Sequence, residues 1–163
     1  MIIKQYEIDK IDLKKNSFFL LYGENQGLKN EIIENKFKKN YLKKTYIYEE
    51  SEILNNKNNF FESITTQSFF ESEKLIIINR ASDKIANLIE EVIEKSIDDL
   101  ILLLNANTLE KKSKLRSIFE KSKEMLTIPF YEDNSQTLST LTNDFFRKKK
   151  IPISQQSMNV LVN

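Results

Sequence analysis

Ser17-Phe18-Phe19-Leu20-Leu21-Tyr22 runs straight into Gly23-Glu24-Asn25-Gln26-Gly27-Leu28-Lys29-Asn30, and the change of character at Gly23 decides the fold. A short uncharged run of aromatic and aliphatic residues reads as a buried strand, and the glycine that ends it reads as a tight turn. From Gln26 to Asn40, Leu28, Ile32, Ile33 and Phe37 fall on one face of a helix, while Lys and Glu fill the other. Strand, glycine turn and amphipathic helix together open a βαβ unit.

The same alternation recurs downstream. Thr45-Tyr46-Ile47-Tyr48 is a β-branched and aromatic strand, and Ser51 is placed to cap a helix carrying Ile53, Leu54, Phe60, Phe61 and Ile64. Leu75 to Ile78 makes a third strand. Ser82 then precedes a helix with Ile85, Leu88, Ile89, Val92 and Ile93 at helical spacing. Leu100 to Leu104 is a continuous apolar strand, Asn107-Thr108-Leu109-Glu110 resembles a capping box, and Leu115, Ile118 and Phe119 mark the helix expected to follow. Thr127 to Phe130 closes the series as a fifth strand.

Five apolar strands separated by four amphipathic helices imply an α/β fold: a parallel sheet with helices on both faces, joined by right-handed crossovers. Residues 1–135 form the expected first domain. From Gln136 the pattern becomes purely helical: Leu138, Leu141, Phe145 and Phe146 mark one helix ending in Arg147-Lys148-Lys149-Lys150, and Ser154 can cap another. The apolar ending Val160-Leu161-Val162 finds no partner in the sequence, as expected of a chain cut short.

Composition removes several classes of function. The chain of 163 residues holds 25 Lys plus Arg against 24 Asp plus Glu, so no global field favours nucleic acid or a membrane surface. No apolar run approaches the roughly 20 residues of a membrane span. The first residues lack a signal peptide's basic start, apolar stretch and cleavage site, so the expected location is the cytoplasm. With no Cys and no His, thiolate nucleophiles, disulfides, zinc fingers and imidazole-based triads are excluded.

The Gly23–Asn30 turn stands where a nucleoside triphosphatase keeps its phosphate loop, but its details fail. A working loop has four residues between its glycines, a Lys directly after the second, and then a Ser or Thr for magnesium. Here three residues separate Gly23 from Gly27, Leu28 intervenes before Lys29, and Asn30 follows. The third strand ends in Ile77-Ile78-Asn79-Arg80, with no carboxylate to hold the metal. The loop therefore reads as a structural turn, with no nucleotide, metal or other cofactor expected. The paired acids Glu49-Glu50, Glu90-Glu91, Asp98-Asp99 and Glu132-Asp133 read as solvated surface, and Arg147–Lys150 as cations favoured at a helix C-terminus.

One segment resists a purely structural reading. In Thr65–Lys74, Ser68-x-x-Glu71 forms a capping box that makes Phe69 and Phe70 the first residues of a one-turn helix. Neighbouring helical residues point about 100° apart, so both rings can hardly enter one core. Adjacent aromatics on a short turn suit a partner's pocket, because they bury much area at little entropic cost.

The order of these signals resembles the family of bacterial DNA polymerase III delta subunits: Leu21-Tyr22-Gly23-Glu24-Asn25-Gln26-Gly27-Leu28-Lys29, then Ser68-Phe69-Phe70 before Lys74–Ile78, then Asp98–Leu104. The resemblance implies an AAA+-like, P-loop-type domain without ATPase activity over 1–135 and the start of a small helical lid over 136–163. A C-terminal collar that joins the other clamp-loader subunits is absent. It further implies that Ser68, Phe69 and Phe70 bind the ring-shaped β sliding clamp and help open it for loading onto primed DNA. Gly23, Gly27 and Lys29 remain as a degenerate loop. Such a subunit serves the DNA-directed DNA polymerase, a nucleotidyltransferase, without a catalytic site of its own, and meets DNA only within the full complex. Family members often carry an aliphatic residue where this chain has Phe69. Two rival readings stay open: an ATPase whose nucleotide binding depends on Lys29, and a DNA-binding module using Arg147–Lys150.

Overall fold

A computed structural model describes residues 1–4, 7, 8, 11–13, 15–42, 44–66 and 73–162. The opening run forms β1 (Phe18–Gly23), and Asn25 caps α1 (Gln26–Ile32), its side chain accepting from the Leu28 amide at 3.1 Å. The coil continues as a π-helical turn, Ile33–Phe37, and a 3-10 turn, Lys38–Asn40. The widened turn buries Ile33 and Phe37, and the Phe37 ring meets Phe19 edge-on at 4.9 Å. Next come β2 (Thr45–Glu49), α2 (Glu50–Asn55), α3 (Lys57–Thr65) and β3 (Lys74–Ala81). A 3-10 turn (Asp83–Ile85) leads into α4 (Ala86–Glu94), followed by β4 (Leu100–Ala106), α5 (Lys114–Lys121) and β5 (Leu126–Phe130).

The five strands are parallel in the order β2-β3-β4-β1-β5, so the expected α/β class and sheet hold. Alternation along each strand divides the core between two faces. Leu20, Ile76, Ile78, Leu102 and Leu104 pack beneath α2 to α5, while Phe19, Leu21, Ile77, Leu103 and Ile128 pack beneath α1 and its continuation. Because both faces are covered, the central strands are continuous apolar runs.

Two local expectations are corrected. The helix expected from Ser51 onward is two helices. Glu49 and Glu52 form a reciprocal capping box that starts α2 two residues ahead of the expected Ser51 cap, and Asn56 breaks the coil, its side chain accepting from the Asn59 amide at 3.2 Å to cap α3. Asn side chains compete with helical backbone bonds in this way. The Asn107–Glu110 box does not open a helix either. α5 begins only at Lys114, capped by Ser113, whose buried hydroxyl donates to Asp83 at 2.6 Å; Asp83 also accepts from the Leu115 amide at 2.9 Å. The Ser113 hydrogen bond, ahead of the backbone amides, holds the Asp83 carboxyl below its usual range.

Sheet edges are treated unequally. The outer side of β5 is closed at Thr127, whose amide donates to the Met1 carbonyl and whose carbonyl accepts from the Ile3 amide, both at 2.9 Å. Two residues on, Pro129 has no N–H to present, which is where proline is tolerated in a sheet. The Thr127 side-chain hydroxyl, by contrast, is buried with no hydrogen-bond partner. Thr127→Val keeps the shape and removes this desolvated group, so it should stabilise the protein by about 1 kcal/mol. A rise in denaturant midpoint at unchanged slope checks this; a fall would mean that the hydroxyl is satisfied after all.

Contacts divide the chain into two compact units, Met1–Phe130 and Tyr131–Asn163. The second consists of α6 (Ser135–Lys149) and α7 (Gln155–Val162). Asn134 and Thr137 cap α6 reciprocally, and Lys150, at φ 57°, ends it in the left-handed conformation. Met158 is buried within this unit, while Leu141, Phe145, Val160 and Leu161 are exposed.

Candidate functional site

In a parallel sheet all carboxyl ends gather at one edge, where α/β proteins ordinarily bind ligands, and all amino ends at the other. The glycine turn follows the carboxyl end of β1. The Ser68-Phe69-Phe70 connection joins the end of α3 to the amino end of β3.

At the carboxyl edge Gly23 has φ +121°, and a Cβ placed on it would lie 2.1 Å from the Phe130 carbonyl oxygen. Its amide donates to the Asn107 carbonyl at 3.2 Å, and the Asn25 amide donates to Phe130 at 3.3 Å, so the chain turns while wedged between the ends of β4 and β5. Gly27 is under no such constraint, since a Cβ there would meet only the Asn25 side chain at 3.8 Å.

Lys29, expected on the polar helix face, is fully buried, and its ammonium donates to the Ala106 carbonyl at 2.6 Å. Burial alone lowers its pKa to about 8. The cation that a phosphate loop would present to its ligand is here turned inward, onto the end of β4. Beyond it lies a row of side chains bonded to one another. Asn105 donates to Asn79 at 3.1 Å, Asn79 donates to Glu49 at 3.4 Å, and Arg80 donates to the other Glu49 oxygen at 2.7 Å. A neutral amide, Asn79, occupies the strand end where an ATPase places its metal-binding acid. Glu50 accepts from the Ser82 amide at 2.7 Å, so the Glu49-Glu50 pair is structural rather than the solvated surface expected of it. Among the described residues no cluster of three or more acids could hold a metal ion.

The buried ammonium has a measurable consequence. Its proton leaves the folded chain near pH 8 but the unfolded chain only above pH 10. Between those values the unfolded state holds more protons, so the Lys29 contribution to stability rises with pH, by about 2 kcal/mol from pH 7.5 to 10. Lys29→Met abolishes that contribution. The difference in stability between native and variant chains, followed by denaturation across this range, should therefore shift toward the native chain as pH rises. A constant difference would show that the ammonium is hydrated.

Ser68, Phe69 and Phe70 lie outside the described residues. The Lys74 ammonium donates to the Thr66 carbonyl at 2.5 Å and to Ser63 at 3.4 Å, its amide donates to Asp99 at 2.8 Å, and the Leu75 amide donates to Lys44 at 2.9 Å. Burial first, and then the Glu73 charge and hydrogen bond, raise the Tyr41 pKa. Arg147, the first residue of the basic run, pairs with Asp144 at 2.7 Å near the end of α6.

Residues 19–129 match the model of the family described as DNA polymerase III, delta subunit. The fold is similar to that of the DNA clamp loader delta protein (YqeN) of Bacillus subtilis, with a TM-score of 0.63 and 15% identity over 96% of this chain and 50% of that one. The chain thus spans about half the length of the solved structure it matches. No curated protein sequence matches it.

Proposed function

We propose, from the premise that this chain belongs to the DNA polymerase III delta-subunit family, that it binds the ring-shaped β sliding clamp through Ser68, Phe69 and Phe70. Binding opens the ring for loading onto primed DNA. The observation that carries this reading is that the carboxyl edge has no free phosphate-binding cation: the Lys29 ammonium is bound to the Ala106 carbonyl, and Asn105, Asn79 and Glu49 are bonded to one another. That leaves Ser68, Phe69 and Phe70, read from the sequence, as the contact with the partner. Binding shifts the ring toward the open form only if that form binds more tightly. The energy comes from the interface, and ATP acts on other subunits.

The helical pair α6 and α7 begins the lid over 136–163, and the other clamp-loader subunits are met through a C-terminal collar domain. DNA is met within the assembled loader, in the cytoplasm, and the chain contributes no catalytic group to the polymerase. The test is a titration of the chain with the sliding clamp, with and without ATP. Saturable binding that is indifferent to nucleotide supports the reading. A chain that ignores the clamp but binds ATP, or binds DNA with affinity falling steeply with salt, overturns it.

A further inference from the structure

The two outer strands of the sheet end differently. On β5 the outer side is closed at Thr127 by the main chain of Met1 and Ile3. β2, at the other end of the strand order, has no such cover. In a parallel ladder the N–H and C=O of one residue point to the same side, and those of the next residue to the other. The Leu75 amide donates to the Lys44 carbonyl at 2.9 Å, so Lys44, Tyr46 and Tyr48 face β3, while the main-chain groups of Thr45 and Ile47 point outward. Among the described residues none bonds them from that side. The Glu49 amide, next in the outward series, is taken by the Glu52 carboxylate at 2.9 Å, which ends the open stretch.

Exposed edges are ordinarily blunted by proline, lysine or a bulge. Thr45–Glu49 has none of these, and Tyr46 and Ile47 within it are 38% and 51% exposed, with Leu42 just before it at 80%. Charge is divided along the same edge: Lys39 and Lys44 stand at its amino end, Glu50 and Glu52 at its carboxyl end. Glu50 and Glu52 accept from neutral groups, the Ser82 and Glu49 amides, and these bonds leave their charge in place. A second β2 running antiparallel sets the lysines of one copy beside the acids of the other at both ends. A parallel one would set like beside like. The edge thus has the self-complementarity that a two-fold interface requires.

We propose that the outer edge of β2 is the docking site for a second copy of this chain, the two β2 strands pairing antiparallel about a two-fold axis at Tyr46. In this register Thr45 of one copy and Ile47 of the other exchange both main-chain bonds on each side of the axis, and the two Tyr46 side chains meet in the close, non-hydrogen-bonded pair between them. An axis at Ile47 would instead call on the Glu49 amide, which is already engaged. The product is one continuous sheet with five strands from each copy. A short strand with few apolar side chains makes a small interface, so the dissociation constant should be on the order of tens of micromolar.

Sedimentation velocity of the full chain from about 5 to 500 μM should follow the passage from monomer to dimer. Ile47→Lys places a charge on the open edge at an exposed side chain, and should keep the chain monomeric throughout with an unchanged melt. Because the chain has no Cys, single cysteines report the register. Under mild oxidation Tyr46→Cys should give a disulfide-linked dimer about tenfold faster than Ile47→Cys, since only the directly opposed pair brings Cβ atoms to bridging distance. A chain that is monomeric at every concentration overturns the proposal and leaves the edge to a different partner. So does a dimer that Ile47→Lys leaves intact, or cross-linking no faster through Tyr46→Cys than through Ile47→Cys. Should Ile47→Lys melt early, the cross-linking comparison decides. Clamp binding plays no part in these readouts, so the failure of either reading leaves the other standing.

Discussion

Replacing Phe69 and Phe70 together with alanine is expected to weaken binding to the sliding clamp by about 4 kcal/mol, close to a thousandfold. Each ring buries on the order of 150 Å² or more when it fills a pocket, and binding fixes only two side-chain torsions per residue. The Phe60-Phe61 pair serves as an internal control. Phe60 is buried with its ring 5.4 Å from Tyr48, and the Lys95 ammonium lies 4.7 Å from the centre of the Phe61 ring, so both rings are occupied within the fold. Phe60→Ala should therefore lower stability, while the Phe69→Ala/Phe70→Ala chain should lose affinity. Calorimetric titration alongside a melt separates the two effects. Equal affinity in native and doubly substituted chains would remove these residues from the interface.

Gly23→Ala should cost about 4 kcal/mol of stability. Two penalties add. At φ +121° an L-residue is strained whatever the space available, and the new Cβ would meet backbone atoms of Phe130 at 2.1 to 3.0 Å, which can move only if β5 moves. Gly27→Ala is the matched control: its Cβ meets nothing closer than 3.8 Å, and alanine favours α1 by up to about 1 kcal/mol. Urea denaturation of both variants reads the contrast. If Gly23→Ala unfolds at the native midpoint, the wedge between β4 and β5 is not as described.

The sheet was legible because burial on both faces leaves strands such as Leu75–Ile78 and Leu100–Leu104 as unbroken apolar runs. The crossovers were legible for a complementary reason: α4 buries Leu88, Ile89 and Val92 at helical spacing. What escaped depends on partners distant in sequence. The start of α5 is set by Asp83, thirty residues before the Ser113 hydroxyl it holds, and no local pattern announces that. Burial of Lys29 escaped because periodicity sorts lysines to the solvent side, while its acceptor is a main-chain carbonyl on β4. Glu49-Glu50 failed similarly, since an acid pair reads alike whether it is solvated or bound to Arg80 and Ser82. The spacing of Gly23, Gly27 and Lys29 flagged a loop unlike a working phosphate site, and the family resemblance read from the sequence is matched over residues 19–129. The bond from the Lys74 ammonium to the Thr66 carbonyl had no counterpart in the pattern either, because it joins residues eight apart across two elements.

The strand order has a consequence for how the chain is made. β1 is synthesised well before β4 and β5, its neighbours in the sheet, so Phe18–Gly23 finds no strand partner there until Leu100 and the residues after it have emerged. At synthesis rates of about 5–20 residues per second, that leaves an apolar segment unpaired for on the order of 5–20 s. Only β2 and β3, paired Thr45 with Leu75 through Glu49 with Asn79, can assemble in the meantime. The sheet is thus completed from its two sides toward β1, a late closure with the long-range pairing that slows folding. Throughout that interval the nascent chain carries Phe-Phe-Leu-Leu-Tyr in a form that invites holding by a chaperone or pairing with the wrong strand.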